Sequence, residues 1–393
     1  MPTHITGRYE VSTVAGENVR AFVPFPLPPA EPLGFDANGE QAHLSAMEAL
    51  TRLDMAGAMV PSLHWFVYAF VRKEAVISSQ IEGTQATLID LLAYEARAES
   101  AGNDAVPLTA DVEEVSSYLA ALEYARGQLA DPHGLPLSMR LLNETHRHLM
   151  RGVRGSDKMP GEVRRSQNWI GGRRPGTAAF VPPPPIHLPE LLTEFERYMH
   201  SDAREAPLIQ AALLHVQFET IHPYLDGNGR VGRLLVTLWL EHARLLRAPL
   251  LYLSLHFKRD RAEYYRRLGA VRTDGDWEGW IVYFLDGVRT IADEAVSAAR
   301  ELFALVSADR SRLIATDGIS VWTLRLFEQL PSHPIVTVAS VMMRLEVTKP
   351  TAGKVVDQLV RAGVLQETTG RQRDREFAYD RYLAILRADT DLA

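Results

Sequence analysis

Cysteine is absent from all 393 residues. Disulfides and thiolate zinc sites are thereby excluded, and the composition fits a reducing compartment. A strong charge of either sign is also lacking. Forty-two Lys and Arg stand against 49 Asp and Glu, a net charge of −7, so the whole chain has no basic bias toward nucleic acid. No apolar run approaches the length of a membrane span. The opening Met-Pro-Thr-His-Ile-Thr-Gly-Arg-Tyr-Glu has no apolar core of the kind a signal peptide needs. The expectation is a soluble, cytoplasmic protein with no membrane partner. What is present is a globular balance, 46% hydrophobic and 23% charged, in a length sufficient for roughly two to four domains.

Residues 1–40 carry Pro24, Pro26, Pro28, Pro29 and Pro32 among apolar residues and read as an extended arm laid over the surface. From Gln41 the pattern turns helical. Leu44, Met47, Leu50, Leu53 and Met55 mark a first helix. Leu63, Phe66, Val67, Phe70 and Val71 start a second that runs to Glu82 and stops at Gly83. Two helices follow around a polar break at 99–104, then another over 137–150. In that last helix His146 and His148 stand two apart, which does not put them on one face, so they read as ordinary residues. A non-helical segment over 161–185 holds two short extended runs about a Gly/Arg/Pro/Gly tip and predicts a β-hairpin. A long helix over 277–307 follows, then a linker at 315–318.

The densest chemistry lies in His222-Pro-Tyr-Leu-Asp-Gly-Asn-Gly-Arg-Val-Gly-Arg233. Apolar helical patterns flank it on both sides. Pro223 disfavours helix at His222, Gly227 and Gly229 allow unusual backbone, and Asn228 suits an N-cap. The free N–H groups at a helix start form an anion site. Arg230 and Arg233 share one face of the first turns, where cations are disfavoured by the helix dipole, so they call for an external anion. A nucleotide polyphosphate fits, clamped by bidentate guanidiniums. Asp226 is a hard oxygen ligand suited to Mg²⁺ shared with phosphate oxygens. His222 can accept a proton near neutral pH.

This stretch resembles the signature loop of the Fic family, His-x-Phe-x-Asp/Glu-Gly-Asn-Gly/Lys-Arg-x-x-Arg, with Tyr224 in place of Phe. The ring is kept and a hydroxyl needing a partner is added. The resemblance implies transfer of AMP from ATP to a Tyr, Ser or Thr hydroxyl of a target protein. It makes His222 the general base and Asp226 the metal ligand. Gly227, Asn228 and Gly229 become the anion hole, and Arg230, Gly232 and Arg233 part of the phosphate site. Gly229 rather than Lys favours AMP transfer over phosphorylation. Ser78, Glu82 and Gly83 resemble the family's inhibitory Ser/Thr-x-x-x-Glu-Gly/Asn motif, in which Glu82 would pair with Arg233 in the place of the γ-phosphate. The run Gln167-Asn-Trp-Ile-Gly-Gly172 resembles the family's flap, bringing Ile170 and Gly171 to the site. Tyr264 and Tyr265 lie by resemblance near the ribose or adenine. Adjacent tyrosines face different sides of a helix, so one packs while one faces the site, or both are core.

Residues 318–393 read as helix, short helix, turn, helix and two strands, and resemble a winged helix-turn-helix. Between Arg344 and Arg381 eight Arg and Lys face six acids, a small excess for a DNA surface, so DNA and protein or dimer contacts both stay open. The expected fold is all-α. An extended arm (1–40) precedes a helical region with the inhibitory helix (41–130), a Fic-type core with a β-hairpin flap (131–310) and the winged helix (318–393). The expected function is an autoinhibited protein adenylyltransferase using ATP and Mg²⁺, with a hydroxyl-bearing target protein as partner and self-modification or a homodimer allowed. The alternatives are a Fic-loop enzyme that removes AMP or transfers another phosphate ester, and a nucleotide-sensing transcriptional regulator.

Overall fold

Leucine and alanine at helical spacing make most of this chain helical, and one apolar cluster runs from Val23 to Leu386 through all of it. The computed structural model describes residues 4–59, 63–101, 108–202 and 204–391. It opens with a β-hairpin, β1 (Gly7–Val14) and β2 (Glu17–Pro24), paired in full register from Gly7 opposite Pro24 to Val14 opposite Glu17. Ala15 and Gly16, both at positive φ, make the turn. The arm is therefore a hairpin, not a simple extended run. The prolines begin only where β2 ends, and β2 buries Val19, Ala21, Phe22 and Val23.

The helices follow in order: α1 (Ala37–Met59), α2 (Leu63–Ile81), α3 (Leu88–Ala101) and α4 (Ala110–Ala130). Part of the polar break between α3 and α4 lies outside the described residues. The inward stripe of α1 is Ala46, Ala49, Leu50 and Leu53. Leu44 and Met55, which mark this helix in the sequence, are exposed because alanine takes the inward positions. Next come α5 (Met139–Leu149), α6 (Leu188–Met199), α7 (Pro207–Ile221), α8 (Asn228–His242), α9 (Ser254–Arg259), α10 (Arg261–Asp274) and α11 (Trp277–Ile314). Every residue of α7 from Leu208 to Ile221 is buried, polar ones included, so α7 is the axis of the molecule, with α8 packed beside it. The 161–185 segment pairs only at Ile170 and Phe180, less than the expected hairpin. Its return arm carries Pro182, Pro183 and Pro184, which cannot donate to a ladder.

After the expected break at 315–318 come α12 (Val321–Gln329), β3 (Ile335–Thr337), α13 (Val338–Leu345), α14 (Lys349–Arg361), β4 (Gln366–Glu367), β5 (Glu376–Ala378) and α15 (Asp380–Leu386). The expected pair of strands is present but short, and the unforeseen β3 joins the far edge of β5. This unit is not held by a linker alone. Buried Asp309 of α11 accepts from Tyr379 and Arg381. Arg97 and Glu99 of α3 pair with Glu376 and Arg344. The turn after α15 also reaches back to the core. Lys258 donates to the Asp391 carbonyl (3.0 Å) and to the Gln80 side chain (2.7 Å), while the Gln80 amide donates to the Thr390 carbonyl (2.9 Å).

Candidate functional site

Pro223 stops α7, and His222 caps it in the left-handed region (φ 51°, ψ 62°) with its N–H still bonded to Phe218. A side-chained residue rarely holds that conformation unless its surroundings fix it. They do so here through the loop's own side chains. Asn228 accepts from the Tyr224 N–H and donates to its carbonyl, both at 2.8 Å. The hydroxyl that Tyr224 adds donates to Asn143 (2.8 Å), and its ring stacks on His146 at 3.9 Å. His146 accepts from the Gly161 N–H at Nδ1, so its Nε2 carries the hydrogen and donates to the Asp226 carbonyl (3.0 Å). Burial pushes His146 down to about 4, which keeps it neutral. It is a buried post under the loop, more than the ordinary residue its spacing suggested. His148 stacks on Tyr124 instead.

The N-cap of α8 is Gly227 at φ 76°, not Asn228, whose side chain is spent on Tyr224. A Cβ at Gly227 would meet the Met150 sulfur at 2.9 Å. The first N–H groups of α8 have no intrahelical acceptor. Beside them Arg230 is buried, with Nε and one terminal nitrogen unbonded. Its nearest carboxylates are Glu114 at 3.7 Å and Asp226 at 3.9 Å, too far for hydrogen bonds. A buried guanidinium left in this state is costly, and an anion would satisfy it.

Asp226 accepts from the Gly227 N–H (2.7 Å) and from Lys158 (3.0 Å). Burial raises its carboxyl, but Lys158 and that N–H outweigh it and the net shift is downward. Among the described residues no group of three or more His, Asp or Glu could hold a metal by itself. Asp226 fits a cation shared with phosphate oxygens, because its outer oxygen already faces the Lys158 ammonium.

Arg233, one turn on, is buried and bonded through Nε and one terminal nitrogen. It donates to the Ser78 hydroxyl (2.8 Å), the Ser78 carbonyl (2.9 Å) and Glu82 (2.6 Å). Burial raises the Glu82 carboxyl, yet the charge and hydrogen bond of Arg233 win and hold it below its usual range. Gly83, at φ 101°, ends the turn. The carboxylate at the wrong end of α2 thus has the cation it needs. Gly229 makes room for this pair. A Cβ there would overlap Glu82 Oε1 and stand 3.0 Å from an Arg233 terminal nitrogen. Ser78 and Glu82, far from the loop in sequence, are in contact with its Arg233.

Four electrostatic neighbours bear on the His222 ring. Glu82 and the Glu219 carbonyl favour its charged form. Arg164 and Arg272 oppose it, as does burial, the largest effect, and the ring is pushed down to about 4. Nδ1 has no hydrogen-bond partner of normal geometry. Neutral imidazole at pH 7 is the form able to take a proton.

Other predicted residues part ways. Tyr264 is in the core, its hydroxyl bonded to His215 (2.8 Å), so it is no ligand contact. Tyr265 is exposed, beside Arg261, and feels the charges of Glu82 and Arg233. Gly232 faces inward, where a Cβ would strike Glu219 and Phe218, so its role is close packing of α7 and α8. Ile170 and Gly171 sit at the single flap bridge, with Asn168 reaching the Leu225 carbonyl (3.3 Å). Sequence reasoning did not single out Lys158 or Glu114, nor Arg164, which bonds the His222 carbonyl (2.9 Å). No motif marks them, because their roles are set by the fold.

Residues 41–127 match the family model described as Fic/DOC family N-terminal, and 136–240 match that of the Fic/DOC family. The proteins named protein adenylyltransferase Fic from Drosophila grimshawi and Drosophila melanogaster are each 29% identical over 184 residues, 46% of this chain and 34% of theirs. The chain therefore spans about a third of the length of these curated relatives. A crystal structure of a Fic family protein from Desulfovibrio desulfuricans G20 shares the fold with a TM-score of 0.55 at 21% identity, over 88% of this chain and 97% of that one. Fic-1 from C. elegans aligns with a TM-score of 0.50 at 20% identity, over 67% of this chain and 74% of its own. The loop and the buried arginines lie within these two matched regions, which are similar in sequence to the Fic/DOC family.

Proposed function

We propose that this protein transfers AMP from ATP to a hydroxyl side chain of a target protein and is held back by Glu82. The observation that carries the reading is Arg230, a buried guanidinium with unbonded nitrogens beside the open N–H groups of α8. A polyphosphate satisfies both. The target oxygen attacks the α-phosphorus, its new P–O bond forming as the α,β-bridging P–O bond breaks and pyrophosphate departs with the electron pair. His222, neutral and four residues upstream of Asp226, takes the hydroxyl proton at Nε2. Asp226 would hold Mg²⁺, which when bound supplies positive charge to the phosphates. Arg233 serves the terminal phosphate once Glu82 leaves it. Tyr265 is the exposed aromatic available to the nucleoside.

The C-terminal elements from α12 to β5, with β3 pairing β5, support a winged-helix reading of residues 318–393 and the domain division drawn from the sequence. The DNA-dependent alternative draws no support from the small basic excess. The test is label transfer to protein from α-labelled but not γ-labelled ATP in a Glu82→Gly background. Label from the γ-position, or none from either with folded protein, overturns the assignment. Mass spectrometry of the modified target separates AMP from other phosphate esters.

A further inference from the structure

Arg164 is almost wholly buried and forms no ion pair with a described residue. Its guanidinium instead spans three parts of the chain through carbonyl oxygens. Nε donates to His222 O (2.9 Å), and one terminal nitrogen donates to Ser166 O (3.2 Å). The other donates to Pro183 O (2.6 Å) and, longer, to Ile221 O (3.4 Å). Its own N–H meets Pro223 O at 2.9 Å. Ile221 and His222 supply the last carbonyls of α7, the negative end of a fully buried helix. Ser166 and Pro183 are the two legs of the flap base, just outside the Ile170–Phe180 bridge. A single planar fork thus joins the end of the axis helix to both legs of the flap, which a point-charge ammonium cannot do.

The location has a chemical effect. Three charged groups bear on the imidazole, Glu82 just past the end of α2, Arg272 of α10 and Arg164, while Glu219 of α7 acts through its main-chain carbonyl. Glu82 is neutralised by Arg233, and burial pushes the Glu219 carboxyl up to about 7. Arg272 lies over the Phe180 ring of the flap at 3.9 Å. Arg164 bonds the His222 main chain directly and has no carboxylate to cancel it. Resting on the reading of His222 as base, we propose that Arg164 is a positioning residue with two effects. It fixes His222 in its left-handed conformation against the flap base, and its uncompensated charge adds to burial in disfavouring the charged ring.

The two effects separate in two substitutions of the full chain. Arg164→Gln removes the charge, and Arg164→Lys keeps the charge but loses the fork. The first readout is the titration of the His222 ring by NMR, assigned by its disappearance in His222→Asn, which needs no turnover. The second is transfer rate against pH in a Glu82→Gly background. Arg164→Gln should raise the His222 midpoint by about one pH unit, the low end for loss of a nearby like charge. The acid limb of the rate should move with it. Arg164→Lys should leave the midpoint within a few tenths of a unit while kcat falls by about tenfold, the effect of a small misplacement of the base. An unmoved midpoint in Arg164→Gln overturns the electrostatic effect, and full kcat in Arg164→Lys overturns the positioning effect. Should Arg164→Gln fail to fold, Arg164→Lys still decides, because a raised midpoint there also overturns the charge argument. Unchanged transfer in His222→Asn would instead strike the functional reading, with the titration result left standing by itself.

Discussion

Replacing Glu82 with glycine should release the site. The carboxylate lies 2.6 Å from a terminal nitrogen of a buried Arg233, which also grips the Ser78 hydroxyl and carbonyl. A hydrogen bond between charged groups contributes about 1.5–3 kcal/mol. At about 1.4 kcal/mol per decade, losing it frees Arg233 for a phosphate by a factor of about 10 to 150. Repulsion between Glu82 and an incoming γ-phosphate adds to the upper figure, since the pair is largely shielded from water. Transfer from α-labelled ATP, as self-labelling or onto a model substrate, should therefore rise by one to two decades in Glu82→Gly. Arg233→Ala should cancel the gain, because the released group is then absent. Glu82→Gln separates charge from shape and should give a smaller gain, as the amide can still bond Arg233. If Glu82→Gly labels no faster than the unaltered chain while its melting temperature is unchanged, the clamp is structural and the argument fails.

His222→Ala should lower transfer by roughly 10²- to 10⁴-fold with ATP binding nearly unchanged. Because burial and Arg164 hold the ring down to about 4, activity should persist through mildly acid pH and fall only as pH drops toward 4, read from a rate profile over pH 4–8. Asp226→Ala should abolish Mg²⁺-dependent transfer, and equal rates in EDTA would reassign that carboxylate to holding Lys158 alone. Removing residues from Gly318 onward should leave transfer within a few-fold in the Glu82→Gly background, since every site residue precedes it. The melting temperature should nonetheless drop, because Phe327, Leu330, Val336 and Tyr382 belong to the same buried cluster as the core. Complete failure to fold would place the boundary elsewhere.

The loop was legible because its residues are constrained by backbone chemistry that sequence displays. Proline stops α7, glycine permits positive φ at 227, and arginines crowd a helix start. The Glu82–Arg233 contact was legible only through resemblance. Nothing local connects α2 to α8, and the packing that joins them is a property of the whole bundle. Asn228 was misread as a cap because its side chain closes the loop on Tyr224, four residues back, instead of capping α8. The N-terminal hairpin was hidden by its Ala15–Gly16 turn, which lacks the usual Asn-Gly signal. His146 and Arg164 were invisible for the same reason. A polar residue that serves by bonding distant carbonyls carries no pattern of its own.

The last turn of α2 is held from two sides. Ser78 and Glu82 grip Arg233, while Gln80, between them in sequence, is bonded to the turn at Thr390 and shares Lys258 with it. Two distant events therefore compete for one turn of helix, and linkage makes their influence mutual. A partner that drew residues 389–391 away would loosen the turn that carries Glu82. A nucleotide that displaced Glu82 would, by the same factor, loosen the C-terminal turn. Occupancy of the phosphate site should then be readable at Thr390, which bonds Gln80 across 310 residues of sequence, as faster amide exchange there when ATP is bound.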